Sequence, residues 1–118
     1  MKSVLSMPCL NEGTAQHEWL IADLANVNKT LTPWTVVVFH QPYMNSNNAH
    51  GMDTEGAPMQ KAIEDILYEA KVDLVFSGHV HAYERSCQVY QYECVNGAPH
   101  YITIGDGGNA EGLATSWT

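Results

Sequence analysis

With 118 residues, 45% of them apolar, the chain has room for one domain with a modest core. Its formal net charge of −8 argues against nucleic acid or an anionic membrane surface as a partner. An anionic substrate would need a local source of positive charge, such as metal ions. No apolar run reaches the ~20 residues of a membrane span, and no repeat or low-complexity tract occurs.

Ser3 to Ser6 reads as the stub of a strand, and Asn11-Glu12-Gly13-Thr14 as a turn and helix cap. From Ala15 to Val27, the apolar residues Ala15, Trp19, Leu20, Leu24 and Val27 recur at helical spacing. Thr32-Pro33 ends that pattern. Trp34 to Phe39 is a short run of β-branched and aromatic residues, as expected of a central parallel strand. The long stretch from His40 to Gly56, rich in Asn, Gly and Met, reads as a functional loop. A second helix is predicted over Pro58 to Ala70, with Met59, Ile63, Ile66 and Leu67 on one face and Pro58 in its first turn. Val72 to Phe76 reads as a second buried strand. Ser86 to Tyr92 alternates, Asn96-Gly97 is a hairpin turn signal, and His100 to Ile104 is the returning strand. Ala110 to Thr118 shows no pattern.

The two buried strands each end in histidine: His40 after the first, and Gly78-His79-Val80-His81 after the second. A strand–helix–strand unit makes the two strands parallel neighbours, so both ends lie at one edge of the sheet, where open α/β sheets hold ligands. Neutral imidazoles gathered there suit a transition metal. His79 and His81, one residue apart, can diverge so that each reaches a different ion of a pair. Gly78 is expected to let the backbone pass closely beneath the ions.

Of the three cysteines, Cys87 and Cys94 lie near the predicted hairpin, and a disulfide between them is compatible with that spacing. Cys9 has no evident partner. Asn28-Lys29-Thr30 is a glycosylation acceptor triplet. Both features lean towards a secretory or vacuolar setting for the parent protein. Met1 to Leu10 does not read as a signal peptide, so the natural start is expected to lie upstream.

Several stretches together carry a family resemblance. They are Thr32-Pro33-Trp34, Val37-Val38-Phe39-His40, Tyr43-Met44-Asn45-Ser46-Asn47-Asn48-Ala49-His50, Lys71 to Arg85, and Tyr101 to Asn109. They closely resemble the C-terminal part of the catalytic domain of the purple acid phosphatases, a branch of the calcineurin-like metallophosphoesterases. The best match runs over residues 13–112, within a single incomplete domain over 1–118. The resemblance implies an α/β fold: a partial metallophosphoesterase β-sandwich with flanking helices, of the four-layer αββα type but truncated. It implies hydrolysis of small-molecule phosphate monoesters by a dinuclear site of Fe(III) and a divalent Zn, Mn or Fe ion. By the same resemblance, His40 and His79 bind the divalent metal and His81 the iron. His50 matches a loop histidine used beside the substrate phosphate as donor or general acid. Relatives often carry a second histidine just before it, where this chain has Ala49. A dinuclear site supplies hydroxide at mild pH and clamps attacking and leaving oxygens. A positioned proton donor adds roughly 10²–10⁴-fold.

The sequence also departs from the family. Its other ligands come from G-D-x-G, G-D-x-x-Y and G-N-H-[DE] runs, none of which occurs ahead of His40. Gly105-Asp106-Gly107-Gly108 copies the first in letters but reads as a structural strand end. Two alternatives therefore stand beside the phosphatase: a non-catalytic fragment or remnant, and a related phosphodiesterase or nucleotide hydrolase. Left uncovered by missing strands, the sheet edge and apolar faces predict poor solubility.

Other polar residues carry less. His17 reads as a solvated helix residue and His100 as a strand-edge residue. Asp53 is a candidate substrate-side residue in the long loop, although it and Glu55 also read as solvated. Arg85 is expected to be structural, pairing with Glu84 or another carboxylate. Tyr43, Met44 and Met52 either line a substrate mouth or pack the loop down. No serine nucleophile elbow, P-loop or strand-linked G-x-G-x-x-G is present.

Overall fold

The computed structural model of the chain describes residues 10–49, 56–108 and 110–118. His50, Met52, Asp53, Glu55, Cys9 and the stub over 3–6 lie outside the described residues. Two helices and five strands follow one another as α1 (Ala15–Ala25), β1 (Val36–Phe39), α2 (Gly56–Glu69), β2 (Leu74–Ser77), β3 (Tyr83–Tyr90), β4 (Glu93–Cys94) and β5 (His100–Ile104).

The strands form one mixed sheet in the order β1-β2-β5-β3-β4. β1 and β2 are parallel, with Val36 opposite Leu74 and Phe39 opposite Ser77. That arrangement follows from the α2 crossover between them. β5 runs parallel to β2 and antiparallel to β3, so it inserts between two strands that precede it in sequence.

α1 begins at Thr14, whose hydroxyl accepts from the His17 N–H, as an N-cap should. Its buried stripe is His17, Leu20 and Leu24. Trp19, expected on the inner face, is 60% exposed, and His17, expected in solvent, is buried. The reason is a helix–helix contact: His17 Nε2 lies 3.1 Å from the carbonyl oxygen of Ala62 on α2. α2 buries Met59, Ile63 and Leu67, with Ile66 half-buried beside them. These residues share one core with Val75 of β2, Val89 of β3, Tyr101 of β5 and Tyr43.

Both helices contribute to that core, which lies on one face of the sheet. Alternation along the strands sends Val37, Val75 and Tyr101 towards it. Val36, Val38 and Ile104 point the other way and are exposed. The expectation that Trp34 to Phe39 is buried on both faces is therefore corrected. Among the described residues β1 has one strand neighbour, and its outer face is uncovered.

The hairpin also differs from the sequence expectation. Reversal between β3 and β4 occurs at Gln91 and Tyr92, both with positive φ (52° and 64°), rather than at Asn96-Gly97. Non-glycine residues rarely adopt that conformation. Here α2 holds the turn: Glu64 accepts from the Gln91 N–H, and the Tyr92 hydroxyl donates to Gln60. Asn96-Gly97 forms a later turn, closed by Ala98 N–H to Val95 O, that leads into β5. A disulfide joins Cys87 to Cys94 across the β3–β4 hairpin, with Cα atoms 5.9 Å apart.

Candidate functional site

Parallel register delivers the histidines. Phe39 and Ser77 are paired, so His40 and Gly78 leave the sheet side by side, and the Gly78 N–H donates to the His40 carbonyl at 2.9 Å. One residue later the His79 ring meets His40. His40 Nε2 lies 3.0 Å from His79 Nδ1, with the rings edge to face and centroids 4.9 Å apart.

The turn that achieves this is strained. His79 has φ of +59°, and Val80 N–H bonds back to the Gly78 carbonyl at 2.7 Å, closing a three-residue γ-turn about His79. A second three-residue turn follows, from Ala82 N–H to the Val80 carbonyl at 2.8 Å, about His81. A non-glycine residue at positive φ costs about 1–3 kcal/mol, and such residues cluster at functional sites.

Gly78 is not the residue that allows the close approach. A Cβ there would sit 3.8 Å from His40, an ordinary contact. The steric demand falls on Gly105, where a Cβ would lie 2.0 Å from the Val80 carbonyl oxygen and 3.2 Å from the Gly78 carbonyl carbon. Gly105 follows β5, the strand beside β2, so its bare backbone forms the floor of the histidine turn. The strand-end run Gly105 to Gly108 carried this signal without saying which turn it supports.

His81 is held separately. Its Nδ1 lies 3.7 Å from Glu111, a long and largely solvated pairing. Its carbonyl accepts from Ala114 N–H at 2.8 Å. Among the described residues no three His, Cys, Asp or Glu side chains stand together as a ligand set. The three imidazoles thus reach one edge of the sheet without forming one cluster: the His40 and His79 rings pair, and the His81 ring faces Glu111.

The pair suits a metal. Two nitrogens about 2.0–2.1 Å from one ion lie roughly 3–3.4 Å apart at ordinary coordination angles. The 3.0 Å separation of His40 Nε2 and His79 Nδ1 falls in that range. Imidazoles that follow two different strands also match the donor chemistry of Zn, Mn or Fe.

Two groups were not legible in the sequence. Glu84 does not engage Arg85, which is exposed; its carboxylate accepts from Ser46 in the loop after His40. The patternless tail crosses the same loop, with Asn48 N–H donating to Ser116 O and Thr118 N–H to Ser46 O. Tyr43 is fully buried, its hydroxyl 2.5 Å from that of Tyr101, so it packs the loop down and lines no mouth. Asn28 is exposed at the surface, where its side chain accepts from the Thr30 N–H. The His100 ring contacts the Ser86 carbonyl at 3.1 Å and takes no part in the His40–His79 pair.

Residues 3–83 match the family model for calcineurin-like phosphoesterases. Probable purple acid phosphatase 20 of Arabidopsis thaliana is 50% identical over 105 residues, which cover 89% of this chain and 25% of that protein. Purple acid phosphatase 22 of the same plant is 54% identical over 102 residues, covering 86% and 23%. A purple acid phosphatase of Glycine max is 50% identical over 116 residues, covering 89% and 25%. Among solved structures, a purple acid phosphatase from yellow lupin (Lupinus luteus) seeds superposes with a TM-score of 0.79 at 28% identity, covering 90% of this chain and 20% of that one. The chain spans about a quarter of the length of the curated relatives it matches.

Proposed function

The chain belongs to the calcineurin-like phosphoesterase family, and from that premise we propose that it carries the histidine-rich part of an acid phosphatase acting on small phosphate monoesters. The observation that supports this most directly is the His40–His79 pair, two imidazoles from neighbouring parallel strands at ligand spacing. His40 and His79 would hold a divalent Zn, Mn or Fe ion, and His81 would serve Fe(III). When bound, such a pair of ions generates a nucleophile from water and offsets phosphate charge, which answers the chain's net charge of −8. His50 is assigned as the substrate-side proton donor and Asp53 as a flanking polar group.

The chain's own residues do the positioning. Gly105 sets the floor of the turn, the strained φ of His79 aims its ring at His40, and the hydrogen bond from Gly78 to the His40 carbonyl locks the two strand ends together. A secretory or vacuolar location is supported by the Cys87–Cys94 disulfide and by the exposed Asn28 triplet. Among the described residues no helix is long and apolar enough to cross a membrane.

A second reading, a metal-binding remnant without activity of its own, is favoured by the absence of a three-ligand set among the described residues. Metal content per purified chain, with a His79→Ala/His81→Ala variant alongside, separates the two. Two tightly held ions, lost in the variant, support the enzyme. One weakly held ion or none supports the remnant.

A further inference from the structure

We propose that Glu84 is a positioning residue that fixes the 43–49 loop against the histidine turn. The proposal rests on the phosphatase reading above only for its functional consequence; the clamp itself stands on geometry. Glu84 is the second residue of β3, three positions after His81 and paired with Thr103. Its carboxylate accepts the Ser46 N–H at 2.9 Å on one oxygen and 3.1 Å on the other, and the Ser46 hydroxyl donates at 2.6 Å. Hydrogen bonds to an ionised acceptor are roughly twice as strong as neutral ones. A carboxylate is the side chain that can offer both oxygens to one N–H.

The clamp closes a ring. Ser46 O accepts from the Thr118 N–H and hydroxyl, each at 2.9 Å. Asn47 Nδ2 donates to the Ala114 carbonyl at 2.9 Å, and Ala114 N–H donates to the His81 carbonyl at 2.8 Å. The loop is thus tied to the histidine turn from the sheet side through Glu84 and from the outer side through the tail. Its own backbone is stiffened in series: Asn45 Oδ1 accepts from Asn47 N–H, and Asn47 Oδ1 accepts from Ala49 N–H. A shift at Ser46 is therefore passed along to Ala49, the residue before the proposed donor. The sequence alone showed Glu84 only as part of a Tyr-Glu-Arg run.

The test is amide hydrogen exchange on the full chain, comparing the parent with Glu84→Gln, Glu84→Ala and Ser46→Ala. Glu84→Ala is expected to speed exchange over residues 46–49 at least tenfold while amides of β1, β2 and β5 keep their rates. Glu84→Gln, which keeps one acceptor oxygen, should fall between parent and Glu84→Ala. Ser46→Ala, which removes one donor and leaves the fold intact, should give a smaller change at the same amides. Zn²⁺ affinity in the Glu84 variants should stay within about twofold, because neither His40 nor His79 touches this clamp. Unchanged rates at 46–49, or an increase spread evenly over the sheet, would overturn the proposal. A local response in a chain that binds no metal would leave the clamp standing and favour the remnant reading over the enzyme instead.

Discussion

His40 and His79 stand 39 positions apart in the chain, yet their ring nitrogens approach to 3.0 Å because β1 and β2 are parallel and in register to their last pair. Either residue alone offers one nitrogen; in the function proposed above, the two would hold a single ion. Replacing either by alanine should weaken Zn²⁺ or Mn²⁺ binding to a similar extent, by at least tenfold. The double variant should be little worse than the single ones, since two partners of one site are not additive. Titration calorimetry of the three variants checks this, and independent, fully additive losses would contradict a shared ion.

Gly105 and Gly78 should respond oppositely to the same substitution. A methyl group at 105 collides with the Val80 carbonyl, whereas at 78 it meets only ordinary contacts with His40. Gly105→Ala is therefore expected to displace the histidine turn, with a stability loss of about 1–3 kcal/mol from overpacking against backbone and loss of metal binding. Gly78→Ala should preserve both. Thermal unfolding and metal uptake on the two variants give the comparison, and a tolerated Gly105→Ala would show that the turn has more room than its geometry implies.

Asp73 ties the entry of β1 to the entry of β2: its carboxylate accepts from Thr35 N–H and from Lys29, each at 2.7 Å. Burial by itself would raise its pKa, but the Lys29 hydrogen bond, the Thr35 N–H and the Lys29 charge outweigh it and hold the group below its ordinary 3.8. A carboxyl depressed in the fold contributes stability that is complete above the unfolded value and is lost as pH falls through the folded one. Stability should therefore be insensitive to Asp73 from pH 7 down to about pH 5, and the wild type should lose its advantage over Asp73→Asn only below about pH 4. Denaturant midpoints measured across pH would expose the opposite sign at once.

The Tyr43–Tyr101 hydroxyl pair predicts an alkaline limit. Burial, followed by the repulsive influence of Tyr101, raises the Tyr43 hydroxyl far above its usual range. Burial also lifts Tyr101, to about 12, against a lowering by its hydrogen bond to Tyr43. For groups raised in the fold, the stabilisation is complete below the unfolded value of 10.0 and drains away as pH climbs towards the folded one. Unfolding should set in between pH 10 and 12, accompanied by tyrosinate absorbance. Tyr43→Phe should cost about 1–3 kcal/mol at neutral pH by stranding the Tyr101 hydroxyl, and a neutral substitution would mean that this hydroxyl finds another partner.

The Cys87–Cys94 disulfide closes only a short loop, so its reduction should cost a modest amount, about 2 kcal/mol by loop entropy. Its effect should concentrate in β3 and β4, with the β1–β2 edge and its histidines unchanged. Exchange rates with and without reductant test that division.

Much of this molecule was readable in the chain itself. Two apolar runs ending in histidine, separated by a helix of the right length, fix a parallel pair and hence the edge at which His40, His79 and His81 collect, because crossover handedness and strand direction are local consequences of sequence. The long motifs from Val37 to Asn109 carried the family. Other features depended on contacts between segments far apart in sequence. His17 turned inward because α2 presents a carbonyl to it, and the hairpin reversed at Gln91-Tyr92 because Glu64 and Gln60 hold that turn. Val36 and Val38 read as buried but are exposed, since apolar character records what a residue favours and not which neighbour covers it. The demand for a bare backbone at Gly105, the grip of Glu84 on Ser46 and the tail across the loop all arise where remote segments meet. Only the tertiary structure decides such close approaches, because each is a distance between backbones that no single segment encodes.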